Sequence, residues 1–135
     1  MKYLFDTNIC IYIINNKYDY LRQRVVDAGI EEIAISTLTI AELEYGIAKS
    51  KSPYKEENRT ALLEFLIPFK FIPFEQSDAY AYAQIRNDLQ RSGNIIGHMD
   101  MLIGAQALSN DLILVTNNTK EFEKIRRIKI ENWVK

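Results

Sequence analysis

The chain has 135 residues, 47% of them apolar and 26% charged, with a formal net charge of −1. That length suits one domain, 1–135, with its own core. The near-neutral balance excludes a global basic field, so any nucleic-acid contact has to come from a local patch of Lys and Arg. The single cysteine, Cys10, excludes an internal disulfide and any multi-cysteine zinc site, and its setting in Ile9-Cys10-Ile11 reads as a small buried hydrophobe. Asp6 falls too early for a signal peptide and no apolar run reaches membrane length, so a cytoplasmic protein with no membrane contact is expected.

Tyr3-Leu4-Phe5 reads as a short buried strand ending at Asp6. The β-branched run ICIYII follows, and the cap-rich Asp6-Thr7-Asn8 before it argues for a helix closed by Asn15-Asn16. A second helix is expected from about Tyr18 to Ala28, stopped by Gly29. Ile33-Ala34-Ile35 is a strand, and Ser36-Thr37 opens a helix through Glu42 to about Ser50. After the break at Lys51-Ser52-Pro53, a helix is expected from about Tyr54 to Phe69, interrupted near Pro68. Phe71-Ile72-Pro73-Phe74 reads as a strand whose proline puts it at a sheet edge. Ser77 caps a long helix to about Arg91, ended by Ser92-Gly93-Asn94, and Gly97 precedes a helix from about Met99 to Ser109. Leu112 to Val115 is a strand with the loop Thr116-Asn117-Asn118 at its end. A short helix near Glu121 then leads to a last strand around Ile128 to Ile130. Short continuous apolar strands alternating with helices give an α/β fold with a parallel sheet covered on both faces.

In such sheets, ligands gather beyond the carboxyl ends of the strands. Asp6 and Asn118 sit at such ends, and Glu42 and Asp100 lie on helices able to start from the same edge. Acids are costly to bury unless paired or bound to a cation, and no cationic side chain stands among these. The group therefore calls for a metal, and hard oxygen donors suit Mg²⁺ or Mn²⁺. The residues are not equally well supported. Asp6 also reads as a plain N-cap. Asp100 shares a helical face with Ile103, Gly104 and Ala107, which is small and apolar, so its carboxylate should point inward; the competing reading is a first-turn acid favoured by the helix dipole. Periodicity does not select Glu42, because Glu44 lies closer to the stripe Ile40, Leu43, Ile47. Asn118 is a neutral ligand at most, or a turn residue.

His98, the only histidine, sits beside Asp100, where it could touch a substrate; a lone histidine excludes paired-histidine ribonuclease chemistry. No GxxxxGK, GxGxxG, HExxH or GxSxG occurs. Lys124, Arg126, Arg127 and Lys129 form a basic cluster interleaved with isoleucines, either a solvated strand edge or the local charge that would hold phosphates. A phosphoacceptor domain would carry a second acid beside Asp6, and an aspartyl phosphatase would have Asp where Asn8 stands.

These segments together resemble a PIN-domain ribonuclease of the VapC toxin type. Leu4-Phe5-Asp6-Thr7-Asn8 resembles the family's opening strand and DTN. Thr39-Ile40-Ala41-Glu42-Leu43-Glu44-Tyr45-Gly46 resembles its T-x-x-E-L-x-x-G helix, which selects Glu42 over Glu44. Gly97-His98-Met99-Asp100-Met101-Leu102-Ile103 resembles its G-x-x-D-x-x-I segment, with Gly104 in place of a more usual alanine, a change expected to matter little. Leu114-Val115-Thr116-Asn117-Asn118, Glu121-Phe122 and Glu131-Asn132-Trp133 resemble the ending of one VapC subgroup, in which Asn118 takes the place of a fourth acid. The resemblance spans essentially the whole chain. It implies a PIN-like fold, a central parallel sheet of about five strands flanked by helices on both faces, and an endoribonuclease dependent on Mg²⁺ or Mn²⁺. Asp6, Glu42 and Asp100 would be the metal ligands and Asn118 a further catalytic residue. Asn8, Thr116 and Glu121 would support the ligands, Glu121 through water. Lys124, Arg126, Arg127 and Lys129 would bind RNA. The resemblance also implies a toxin–antitoxin setting: a VapB-like antitoxin that blocks the site and carries operator-DNA binding, a toxin homodimer, and a tRNA substrate, the initiator tRNA anticodon stem-loop. A non-catalytic PIN-like domain that binds RNA or a partner is the alternative.

Overall fold

The computed structural model describes residues 1–134. Five parallel strands, β1 (Tyr3–Phe5), β2 (Ile33–Ser36), β3 (Lys70–Ile72), β4 (Ile113–Val115) and β5 (Lys129–Glu131), form one sheet in the order β3-β2-β1-β4-β5. The chain builds outward from β1 through β2 to β3, then returns across β1 to lay down β4 and β5. The order therefore reverses at the β1/β4 pair, where Phe5 lies in register with Val115. A crevice for ligand opens there, at the carboxyl ends.

Alternation along the strands divides the core. Tyr3, Phe5, Ile33 and Ile35 face α1 (Thr7–Ile14), α2 (Tyr20–Ala28), α3 (Thr37–Lys49) and α4 (Lys55–Leu66), with Trp133 edge-on to Tyr3 and Phe5. Leu4, Ala34 and Leu114 face α5 (Gln76–Ser92), α6 (His98–Ser109) and α7 (Thr119–Phe122). Burial on both faces is why the three inner strands β2, β1 and β4 are short apolar runs, whereas the edge strands β3 and β5 carry Lys70, Lys129 and Glu131. Cys10 is wholly buried in the first of these cores.

Several element ends differ from the expected ones. Helix α2 begins at Tyr20, because Tyr18 is taken into an edge-to-face contact with Tyr12. Helix α4 ends at Leu66: Pro68 has no N–H to offer Glu64, and the chain tightens through Ile67 N to Glu64 O and Phe69 N to Leu66 O. Strand β3 is at the sheet edge as expected but spans Lys70–Ile72, leaving Pro73 outside the ladder. The cap of α5 is Glu75, reciprocally bonded with Asp78, and Ser77 lies within the first turn. Helix α6 starts at His98, and β5 is set one residue late by pairing Lys129, Ile130 and Glu131 with Ile113, Leu114 and Val115. Gly104 matters more than expected: a Cβ there would meet Ile125 Cδ1 at 2.6 Å, so the glycine lets Ile125 close on α6.

Candidate active site

Asp6, Thr7, Asn8, Glu42, Asp100, Ile103 and Asn118 line one polar cleft of about 130 Å³ at the carboxyl edge of the sheet. The residues arrive from four separate elements. Asp6 directly follows β1 and caps α1, its carboxylate accepting from the Ile9 N–H at 2.9 Å. Thr116 directly follows β4, and its buried hydroxyl donates to the other Asp6 oxygen while accepting from the Asn118 N–H at 2.9 Å. The loop after β4 is thus tied to the residue after β1, across the point where the strand order reverses.

Glu42 enters from α3, whose start is set by Ser36 accepting from the Leu38 N–H at the end of β2. The Thr7 hydroxyl donates to its carboxylate. Glu44, which periodicity favoured, instead meets Arg59 of α4 at 3.1 Å. Asp100 sits in the first turn of α6, one oxygen 3.7 Å from where a Gly97 Cβ would be, and half-buried beside Ile103. Helix α6 buries residues on all sides, from Met101 to Ala107, so both its faces are covered. Asn118 precedes α7, but its side chain does not cap that helix; it lines the cleft.

Electrostatics mark this cleft out. Burial pushes the Asp6 carboxyl up to about 6; the Thr116 and Ile9 donors oppose the shift, and Asp100 and Glu42 add to it. Asp100 is also raised, first by burial, then by Glu42 and Glu121. Among the described residues, no lysine or arginine lines the cleft. The carboxylates are not drawn into a ready-made three-ligand cage, yet they are close enough to repel one another. Hard oxygen donors, mutual repulsion and no neutralising cation fit a divalent ion such as Mg²⁺ or Mn²⁺, with Asp6, Glu42 and Asp100 as the groups to hold it.

Asn8 is exposed at the cleft rim, and Glu121 on α7 reaches Asp100 electrostatically while pairing with Lys124 at 3.5 Å. The basic cluster is not gathered at the cleft. Lys129 opens β5 at the opposite end of the sheet and pairs with Asp111 at 2.8 Å. Lys124, Arg126 and Arg127 line a separate small groove against Gln84 and Asp88 of α5. Thr7 was not singled out in the sequence, although its place directly after Asp6 was the available signal.

The sheet order and the acid cleft at its carboxyl edge define a PIN-like α/β fold, and the PIN domain family matches residues 3–128. Ribonuclease VapC2 of Rickettsia felis is 42% identical over 136 residues, covering all of both chains. The tRNA(fMet)-specific endonuclease VapC of Salmonella typhimurium is 37% identical over 133 residues, 98% of each chain. Among solved structures, DNA-bound VapBC from Salmonella typhimurium superimposes with a TM-score of 0.91 at 37% identity, again over 98% of each chain. The chain belongs to the PIN-domain family, among the VapC ribonucleases of toxin–antitoxin systems.

Proposed function

We propose that this protein is a Mg²⁺- or Mn²⁺-dependent endoribonuclease, the toxin of a type II toxin–antitoxin pair, that cuts tRNA in the anticodon stem-loop, with initiator tRNA as the substrate. The observation that carries the metal-dependent chemistry is the cleft that brings Asp6, Glu42 and Asp100 together with no lysine or arginine among its lining residues. Asp6, Glu42 and Asp100 would hold a divalent ion, which would supply Lewis acidity there, acidifying water and offsetting the negative charge on the phosphodiester. Thr116 and the Ile9 N–H fix the Asp6 carboxylate, and Thr7 fixes Glu42. Asn118 offers its amide to a ligand at the cleft wall, with Asn8 at the rim and Glu121 behind Asp100. In-line attack by water then needs no histidine base and leaves a 5′-phosphate and a 3′-hydroxyl. Lys124, Arg126 and Arg127 hold phosphates beyond the cleft; Lys129, paired with Asp111, contributes least.

The tRNA reading is supported by 37% identity to a protein named for tRNA(fMet) cleavage. The near-neutral net charge also favours a structured hairpin over indiscriminate RNA binding. A VapB-like antitoxin that covers the cleft and carries operator-DNA binding is supported by the likeness to a DNA-bound VapBC complex. The toxin is a homodimer, and it acts in the cytoplasm; no helix among the described residues is long and apolar enough to cross a membrane. The test is cleavage of an anticodon hairpin with Mg²⁺ or Mn²⁺ and with EDTA, combined with sequencing of RNA 5′ ends after induction in cells. A single metal-dependent cut in the tRNA anticodon region is expected. Cuts scattered across messenger RNA with tRNA intact would overturn the substrate, and 2′,3′-cyclic phosphate ends would overturn the water mechanism. No cleavage with either ion would favour a non-catalytic binding domain.

A further inference from the structure

A hydrogen-bonded row outside the cleft lining joins α5 to the first turn of α6, the turn that also carries Asp100. Arg86 Nη1 donates to the Tyr82 hydroxyl at 3.1 Å, one turn apart on α5, and that hydroxyl lies 3.4 Å from His98 Nδ1 at the start of α6. Guanidinium can only donate, so the Tyr82 oxygen accepts from Arg86, and its own proton is free to go to Nδ1. In that arrangement the ring proton is on Nε2, a donor on an exposed imidazole. Among the described residues, Arg86 makes no ion pair, so most of its donors are unused. His98 is two residues from Asp100, whose carboxylate folds back toward Gly97.

We propose that Arg86, Tyr82 and His98 form the lip of the cleft that grips the RNA sugar–phosphate backbone beside the bond to be cut. The proposal rests on the ribonuclease reading and deepens it. A cleft lined by carboxylates repels phosphate, so an RNA strand needs donors and positive charge next to it, and the cleft lining supplies neither lysine nor arginine. The row supplies one guanidinium and one imidazole N–H with no carboxylate among them. Arg86 and His98 touch non-bridging phosphate oxygens; Tyr82 is a positioning residue that holds the imidazole in the donating orientation.

The experiment is cleavage of a tRNA anticodon hairpin by the full chain with Mn²⁺, comparing wild type with Arg86→Ala, Arg86→Lys, Tyr82→Phe, His98→Ala and the Tyr82→Phe/His98→Ala pair. Arg86→Ala should raise KM by about tenfold and reduce the salt dependence of binding by about one phosphate contact, with kcat within about twofold. Arg86→Lys should recover part of the loss. Tyr82→Phe and His98→Ala should each raise KM by a smaller factor, and the pair should be no worse than His98→Ala alone, because Tyr82 acts through His98. Melting temperatures should be unchanged at these exposed or half-exposed positions. Unchanged KM in every variant of an active enzyme would overturn the proposal. So would a fall in kcat alone, additive effects of Tyr82 and His98, or weakened antitoxin binding with RNA cleavage intact. A wild type that cuts no RNA would instead defeat the ribonuclease reading.

Discussion

Two aspartates in this molecule are similarly buried, and each accepts from a backbone N–H and a hydroxyl, but they differ in the charge beside them. Asp78, 2% exposed, accepts from the Glu75 N–H at 2.8 Å, from Asn110 Nδ2 at 3.1 Å and from the Ser109 hydroxyl. Its neighbours are fixed neutral donors, and together they pin the start of α5 to the end of α6. Asp6, 4% exposed, has two such donors, Ile9 N–H and Thr116, and then faces Asp100 and Glu42. Burial does not distinguish a clamp from a site; the unbalanced charge next to the carboxylate does.

The largest separation of the two should be in catalysis. Asp6→Asn, Glu42→Gln and Asp100→Asn should each lower single-turnover RNA cleavage by on the order of a thousandfold or more, whereas Asp78→Asn should leave the rate within a few-fold. Retained cleavage in Asp100→Asn would remove that residue from the site. Stability should sort them the other way. Asp78→Ala should cost about 3 kcal/mol in denaturant titrations, since it strands a backbone N–H, a hydroxyl and an amide. Asp6→Asn should melt no lower than wild type at pH 7.

The pH dependence sharpens the contrast. The Asp6 carboxyl titrates near 6 in the fold against 3.8 when free, so the folded state binds more protons between those values. The Asp6 contribution to stability should therefore be fully present below about pH 4 and lost, by up to about 3 kcal/mol, as pH rises through 6 without divalent ions, with Asp100 shifting in the same direction. Asp6→Asn should flatten that slope and Asp78→Asn should not; calorimetric scans from pH 4.5 to 7.5 in EDTA would decide it. The smallest effect belongs to Asn118→Ala, expected to slow cleavage by about tenfold as loss of one neutral contact. A loss as deep as that of Asp6→Asn would promote Asn118 to an equal of the acids.

Much of this was legible in the sequence, for local reasons. Asp6 and Asn118 follow apolar strands directly, and a parallel sheet gathers whatever stands at those ends. Asp100 lies on a helix whose small, apolar face with Ile103, Gly104 and Ala107 announces close packing on the sheet; that its other side is buried too comes from the fold. Glu42 was different: α3 packs its stripe on Leu43, and the carboxylate is drawn to the cleft by Thr7 from another element, which no helical period encodes. Only the motif spacing chose it over Glu44. The basic cluster divides in the fold for a related reason. Four cations within six residues look like one patch, but pairing of β5 with β4 turns Lys129 to the far end of the sheet. The Arg86–Tyr82–His98 row depends on α5 lying against α6, and the sequence holds no trace of that contact.

The most direct test of the central claim, that the Asp6 cleft awaits a divalent cation, is a melting titration with Mn²⁺ at pH 7 on wild type, Asp6→Asn and Asp78→Asn. Ligand that binds only the folded state raises the melting temperature saturably. Wild type and Asp78→Asn should show that rise, and Asp6→Asn should lose most of it. An equal rise in all three, or none in wild type, would contradict the account.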